Sequence, residues 1–197
     1  MDIILDEKII KEENLDDYIK YADWSPYYSQ FLLFDVGKEH YKLLSYLVKN
    51  YFNKDDIIID IGTFIGLSAL ALSSNGNYVY TYDVSDNIPD SVLTIKNVKN
   101  IYYTIGDCID DIDILLRASL IMLDIDHSGI EEKRILDILR ENNYKGIVIM
   151  DDINIFEPMR KLWDSIPERK YDITKFGHWS GTGIILFSDD VTLTIKE

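Results

Sequence analysis

The segment Ile57-Ile58-Ile59-Asp60-Ile61-Gly62-Thr63-Phe64-Ile65-Gly66-Leu67-Ser68-Ala69-Leu70-Ala71-Leu72 constrains the fold more than any other. Its β-branched opening has no polar alternation, which marks a strand buried on both faces. The small and aliphatic residues after Gly66 read as a helix. A strand of that kind running into a helix belongs to a parallel sheet covered on both sides. The unit repeats: Tyr78–Asp83, Ile101–Ile105, Leu120–Asp124 and Gly146–Asp151 read as strands. Helices are expected from Lys38 to Tyr51, from Glu131 to Asn143 and from Phe156 to Ile166, the last with Pro158 in its first turn, where proline is tolerated. The alternation then breaks. Tyr171–Phe176 and Gly183–Phe187 are joined only by Gly177 to Thr182, too few residues for a crossover helix, so they predict an antiparallel hairpin. The expected fold is α/β: a doubly wound, mostly parallel seven-stranded sheet with a C-terminal antiparallel hairpin and helices on both faces.

At 197 residues the chain is long enough for one domain and too short for two. Residues 38–197 are expected to form the α/β core. Residues 1–37 form an N-terminal segment placed to cover a site, with Leu15, Tyr18, Ile19 and Ala22 at helical spacing before the aromatic loop Trp24-Ser25-Pro26-Tyr27-Tyr28. Twenty basic against 35 acidic residues give a net charge of −15. Phosphate backbones and anionic membranes are bound through cationic contacts, and no run of Lys or Arg supplies them, so neither is an expected partner. No apolar run approaches the roughly 20 residues of a membrane span, and the first residues are acidic where a signal peptide is basic. With Cys108 as the only cysteine, a reducing, cytoplasmic setting is expected. Val191 to Ile195 alternate with period 2, as an edge strand or the seam of a homodimer would.

In a parallel sheet, ligands bind at the carboxyl ends of the strands. Acids collect there: Asp60 lies in the first strand, Asp83 ends the second, Asp107 follows the third, and Asp124 and Asp151 end the fourth and fifth. Any one of them fits a turn or a helix cap; the set, with its glycines, points to a binding edge. The first turn reads D-x-G-x-x-x-G, so backbone can approach a ligand and the helix start offers free N–H groups. It lacks the G-x-G-x-x-G of a dinucleotide site. Asp60 would repel phosphate and attract an ammonium group, while Asp83 stands where an acid accepts hydrogen bonds from ribose hydroxyls. The ligand implied carries a ribose and a cation.

From about Val36 to the final hairpin the sequence resembles the class I S-adenosylmethionine-dependent methyltransferases, which have a Rossmann-like fold. Ile59 to Ser68 resembles their cofactor motif, Asp83 their ribose acid and Gly106-Asp107-Cys108 their adenine-contacting turn. The resemblance implies that Asp60, Gly62, Thr63, Phe64 and Ser68 surround the methionine part of the cofactor, and that Val36, Gly66, Val84 and Asp124 complete the cofactor set. Within that superfamily, Leu123-Asp124-Ile125-Asp126-His127 and Met150-Asp151-Asp152 are similar to the small metal-dependent O-methyltransferases of the catechol, caffeoyl-coenzyme A and macrolide-sugar types. Carried over, this implies magnesium held by Asp124, Asp151 and Asp152. Val36-Gly37-Lys38 resembles the segment that closes over the cofactor in the catechol group.

Physics supports a cation at the same place. Three carboxylates converging from neighbouring strands repel by about 4 kcal/mol per pair at ~4 Å and an effective dielectric near 20. A divalent ion removes that cost, and all-oxygen ligands favour Mg²⁺, with Mn²⁺ or Ca²⁺ admissible, over zinc. The other reading leaves Asp152 as a cap and Asp126 facing water. Methyl transfer needs an ionised nucleophile in line with the sulfonium methyl and little water, and a metal-bound hydroxyl ionises more easily. His127 takes the place of a lysine in the catechol group and can accept a proton near neutral pH; Asp126 is the next candidate base. Trp24, Tyr27, Tyr28, His178 and Trp179 either line an acceptor pocket or pack, and Trp163 reads as core. The expected function is therefore methyl transfer from S-adenosyl-L-methionine to a hydroxyl of a small phenol, catechol or sugar. Two alternatives stay open: metal-independent N- or O-methylation, and a non-catalytic protein that binds the cofactor.

Overall fold

The computed structural model describes residues 1–27, 29, 31 and 35–196; Tyr28 of the aromatic loop lies outside this set. The main sheet contains β2 (Ile57–Ile61), β3 (Tyr78–Asp83), β4 (Ile101–Ile105), β5 (Leu120–Leu123), β6 (Ile147–Asp151), β7 (Arg169–Asp172) and β8 (Thr182–Leu186). Their spatial order is β4-β3-β2-β5-β6-β8-β7. The strands β2 to β6 are parallel, β8 runs antiparallel to β6, and β7 antiparallel to β8. The doubly wound sheet with a reversed final hairpin is the architecture expected from the sequence.

The continuous apolar strands bury both faces because successive side chains point opposite ways. Ile58, Leu120, Met122, Ile147 and Ile149 pack on one side with the helices Tyr41–Tyr51 and Leu67–Leu72. Ile59, Ile61, Ile121, Leu123, Val148 and Met150 pack on the other with Ile130–Glu141 and Glu157–Ser165. Pro158 sits in the first turn of the last helix, and Trp163 on the same helix is buried in the core, as expected.

Two expectations change. The hairpin's first strand is Arg169–Asp172 rather than 171–176, because the Asp172 carboxylate accepts from the Thr174 N–H at 2.9 Å and turns the chain there. The second change is a strand not expected from the sequence, β1 (Asp2–Leu5), which pairs in parallel with the tail strand β9 (Thr192–Ile195). The hydroxyls of Tyr46 and Tyr51 donate to the Ile4 carbonyl at 2.7 and 2.8 Å, tying this small sheet to the helix Tyr41–Tyr51. Among the described residues no helix is long and apolar enough to cross a membrane.

Candidate active site

Strand order reverses its sense between β2 and β5, and ligands of open parallel sheets bind at such a switch point. Three cavities meet there, and Gly62 lines all of them. The first, about 300 Å³, is walled by Asp83, Val84, Gly106, Asp107, Cys108 and Asp126. The second, about 180 Å³, is walled by Tyr27, His40, Thr63, Phe64, Ser68 and Asp124. The third, about 340 Å³, joins Phe64 and Asp83 to Asp124 and His127. The residues expected to contact ribose and adenine thus share one cavity, and most of those expected around the methionine part share another.

The turn after β2 is fixed by hydrogen bonds. Asp83 accepts the Phe64 N–H at 2.7 Å and the Ser85 N–H at 2.9 Å, which anchors the glycine turn to the end of β3. Phe64 is held at φ 46°, half exposed over the cavities, and its ring lies 5.8 Å from Tyr27. His127 at φ 58° and Asp152 at φ 57° are left-handed too, so three of the four such non-glycine residues described belong to this edge. Left-handed backbone in larger residues costs energy and persists where the surroundings over-determine it, often at functional sites.

Beside the second and third cavities, acids and histidines interlock. His127 Nε2 lies 3.2 Å from Asp152 Oδ2, and its Nδ1 lies 3.8 Å from Asp124 Oδ1. His178 Nδ1 lies 3.2 Å from Asp151 Oδ2 and 3.3 Å from Asp152 Oδ1, and His40 Nδ1 lies 3.3 Å from Asp151 Oδ2. The antiparallel pairing of β6 with β8 makes this possible: it sets Asp151 opposite Thr182, whose hydroxyl accepts the His178 N–H at 2.7 Å. All three histidines of the chain reach the acids expected from the sequence.

The charges sort accordingly. Burial alone would raise Asp151, but His40 and His178 hold its carboxyl well below the usual range. Burial opposes charge on His178, yet the carboxylates of Asp151, Asp152 and Glu39 push it up to about 10. Asp124 goes the other way: burial first, then the Asp151 charge, lifts its carboxyl well above the usual range. Imidazole nitrogens share the space between the carboxylates that the sequence singled out, so both groups of side chains able to hold an ion mix nitrogen with oxygen donors.

Other expected residues fall elsewhere. Asp126 lines the first cavity rather than the second or third, and the Ser128 N–H holds its carboxylate below the usual range, which makes it a weak base. Gly66 turns at φ 83° against the Ile95 side chain. Val36 packs on the core. Trp24 packs there too, its indole N–H donating to the Tyr21 carbonyl at 3.0 Å. Trp179 is exposed beside His178, their rings 5.6 Å apart. His40 and Glu39, both buried, were not singled out by sequence reasoning; they stand just ahead of an amphipathic helix, where nothing in the local pattern marks them.

Asp60 is fully buried, accepts a hydrogen bond from the Thr81 hydroxyl at 2.6 Å, and has a second oxygen with no partner. Burial pushes its carboxyl up to about 6. The folded state then holds this proton to higher pH than the unfolded chain does. Stability should fall by about 3 kcal/mol as pH rises from about 4 to above 6. Denaturant midpoints at acidic and neutral pH check this: Asp60→Asn should reduce the drop by about that amount, and an unchanged drop in the variant would remove Asp60 as a source.

Comparisons of structure give the fold a family resemblance. A methyltransferase from Podospora anserina, PaMTH1, solved with S-adenosylhomocysteine, matches with a TM-score of 0.62 at 13% identity, covering 89% of this chain and 88% of that one. The chain has the fold of the class I S-adenosylmethionine-dependent methyltransferases. A putative caffeoyl-CoA O-methyltransferase from Staphylococcus aureus matches at 0.58 with 15% identity, over 89% of this chain and 92% of that one. The O-methyltransferase TomG from Streptomyces achromogenes, involved in tomaymycin synthesis and solved with S-adenosylmethionine, matches at 0.55 with 15% identity, over 90% and 91% of the two chains. No family model matches the sequence, and no curated protein matches it.

Proposed function

We propose that this protein is a methyltransferase that moves a methyl group from S-adenosylmethionine to a hydroxyl of a small molecule, with a divalent cation among Asp124, Asp151 and Asp152. The observation that carries the reading is the continuity of the edge. Cavities walled by Asp83, Gly106 and Cys108 lead through Gly62 and Phe64 to Asp124 and His127, beside the buried acids. Similarity in fold to O-methyltransferases points the same way.

The residues fit both groups. Asp60 keeps a buried oxygen without a partner, which suits an ammonium, and Asp83 stands at the lip of the first and third cavities, suiting a ribose. His40 keeps a buried Nδ1 without a hydrogen bond beside the acids, which suits a cation. The cofactor when bound supplies an activated methyl group, and the cation a positive charge that eases ionisation of a hydroxyl. The chain's part is to place the acceptor and take its proton. His127 lines the third cavity, and its Nδ1 has no hydrogen bond, so this ring is the chain's candidate to receive a proton from an acceptor placed there. Phe64, half exposed at the mouth, and Tyr27 beside it, their rings tilted by 57°, give an aromatic wall that excludes water and suits a phenolic ring or the apolar face of a sugar. The net charge of −15 favours a small acceptor over nucleic acid.

Calorimetric titration with S-adenosylhomocysteine tests the reading. Wild-type protein should bind it, and Asp83→Asn should weaken binding by about tenfold or more, through loss of ribose contacts and of the anchor on the Phe64 turn. A panel of catechols and sugars should then bind only with a divalent cation present. No binding of the nucleoside would end the methyltransferase reading. Binding of an acceptor that EDTA leaves untouched would end the cation part alone.

A further inference from the structure

Two ligand sets, not one, stand at the acid cluster. Asp124, His127 and Asp152 form one, while His40, Asp151 and His178 form another, each with donor atoms within 4.8 Å of one another. The second set is unlike the oxygen cage a magnesium ion prefers, since two of its three donors are imidazole nitrogens.

We infer that His40, Asp151 and His178 bind a first-row transition-metal ion of the Zn²⁺ type, and that these nitrogens choose the cation this protein takes. This rests on the proposed cation site through the shared Asp151, and it is independent of the methyl-transfer chemistry. Two ligands about 2.1 Å from one ion stand about 3.0 Å apart at a right angle and about 3.4 Å apart at the tetrahedral angle. Asp151 Oδ2 lies 3.3 Å from His40 Nδ1 and 3.2 Å from His178 Nδ1, inside that window for both pairs. His40 is only 4% exposed, and its Nδ1 makes no hydrogen bond but faces Asp151 Oδ2 at 3.3 Å, so one ion can take both atoms. Glu39 lies 3.9 Å from His178 Nε2, the far side of the ring, which is the place of the carboxylate that orients a metal-binding imidazole. The Asp151 carboxylate also accepts from the Thr182 hydroxyl at 3.2 Å through its other oxygen, leaving Oδ2 for the two nitrogens. The second cavity is walled by His40, which gives an ion a path from solvent.

Cobalt(II) is the probe, because its visible absorption reports the ligand field without any turnover. Full-length protein stripped with chelator should take up about one equivalent of Co²⁺ with visible bands. Zn²⁺ should displace it at equal concentration, and a hundredfold excess of Mg²⁺ should not. His178→Gln, in a partly exposed loop position, should weaken Co²⁺ binding by more than about tenfold, while His127→Gln should stay within about threefold of wild type. Thermal melts of both variants check that they fold, and the wild-type competition needs no variant. Absence of visible bands at millimolar Co²⁺, displacement by tenfold Mg²⁺, or unchanged binding in folded His178→Gln would each overturn the inference. S-adenosylhomocysteine titration of the same samples separates its failure from failure of the methyltransferase reading.

Discussion

Gly62→Ala is expected to leave little folded protein. The residue sits at φ 98°, and a Cβ built on it would lie 1.5 Å from the Asp124 carbonyl oxygen and 2.6 Å from the carbonyl carbon. Both atoms are backbone, and both sides of the contact are pinned. The Gly62 N–H donates to the Tyr82 carbonyl at 2.9 Å, and the Asp124 N–H donates to the Ile61 carbonyl at 2.9 Å. Relief requires β2 and β5 to separate at their carboxyl ends. A left-handed alanine alone costs about 1–2 kcal/mol, and overpacking against rigid atoms adds about 1–3 kcal/mol or more. Together these are a large share of the roughly 5–15 kcal/mol that holds a domain folded. Gly66→Ala should cost less: its Cβ would meet the buried Ile95 side chain at 2.6 Å, which must repack, rather than fixed backbone. Soluble yield and thermal melting check the pair. A Gly62→Ala protein melting within about 5 °C of wild type would mean the strands can part there, and that the glycine serves only ligand approach.

The same glycine explains how far the sequence could be read. Its motif marked the switch point because a doubly buried strand has no alternation to hide a break, and the acids at the ends of β3, β5 and β6 followed from one rule about parallel sheets. Local pattern failed where partners are distant. The strand β1 is four residues long and meets β9 nearly 190 residues later, so neither end announces the other. The hairpin slipped because Tyr171 to Phe176 carries β-branched and aromatic residues at strand-like spacing, while one carboxylate, that of Asp172, turns the chain inside it. The histidines were the largest gap. His127 was legible because it follows Asp124 closely, whereas His40 and His178 reach Asp151 from a helix entry and a hairpin loop, which only the antiparallel return of β8 brings together. Asp60, taken from its motif as a ligand for ammonium, carries a structural strain that sequence spacing cannot express: full burial with one oxygen unpaired.

Asp151→Asn and Asp124→Asn should move stability in opposite directions in metal-free protein at neutral pH, although both acids end neighbouring strands. Asp151 is the anion between two imidazoles, and both are raised by it in turn. Removing one member of a buried ion pair leaves the others uncompensated, at a cost of about 3–5 kcal/mol. Asp124 has no such partner at close range: His127 Nδ1 is 3.8 Å away, and the charges of Asp151 and Asp152 oppose its ionisation. Its neutral isostere removes repulsion, so Asp124→Asn should melt higher than wild type. Asp151 is lowered, so its contribution is present at neutral pH and is lost as pH falls through the carboxylate range. Asp124 is raised, so it disfavours folding above its ordinary range, and the gain from the variant should shrink as the solution is acidified. Saturating divalent cation should reverse the Asp124 result, because a cation stabilises the ionised group the variant lacks, and both variants should then lose turnover while keeping S-adenosylhomocysteine. Thermal melts at pH 5 and pH 7.5, with chelator and with cation, read all four cases. Equal destabilisation by the two substitutions in chelator would mean that the histidines do not divide the acids as their distances indicate.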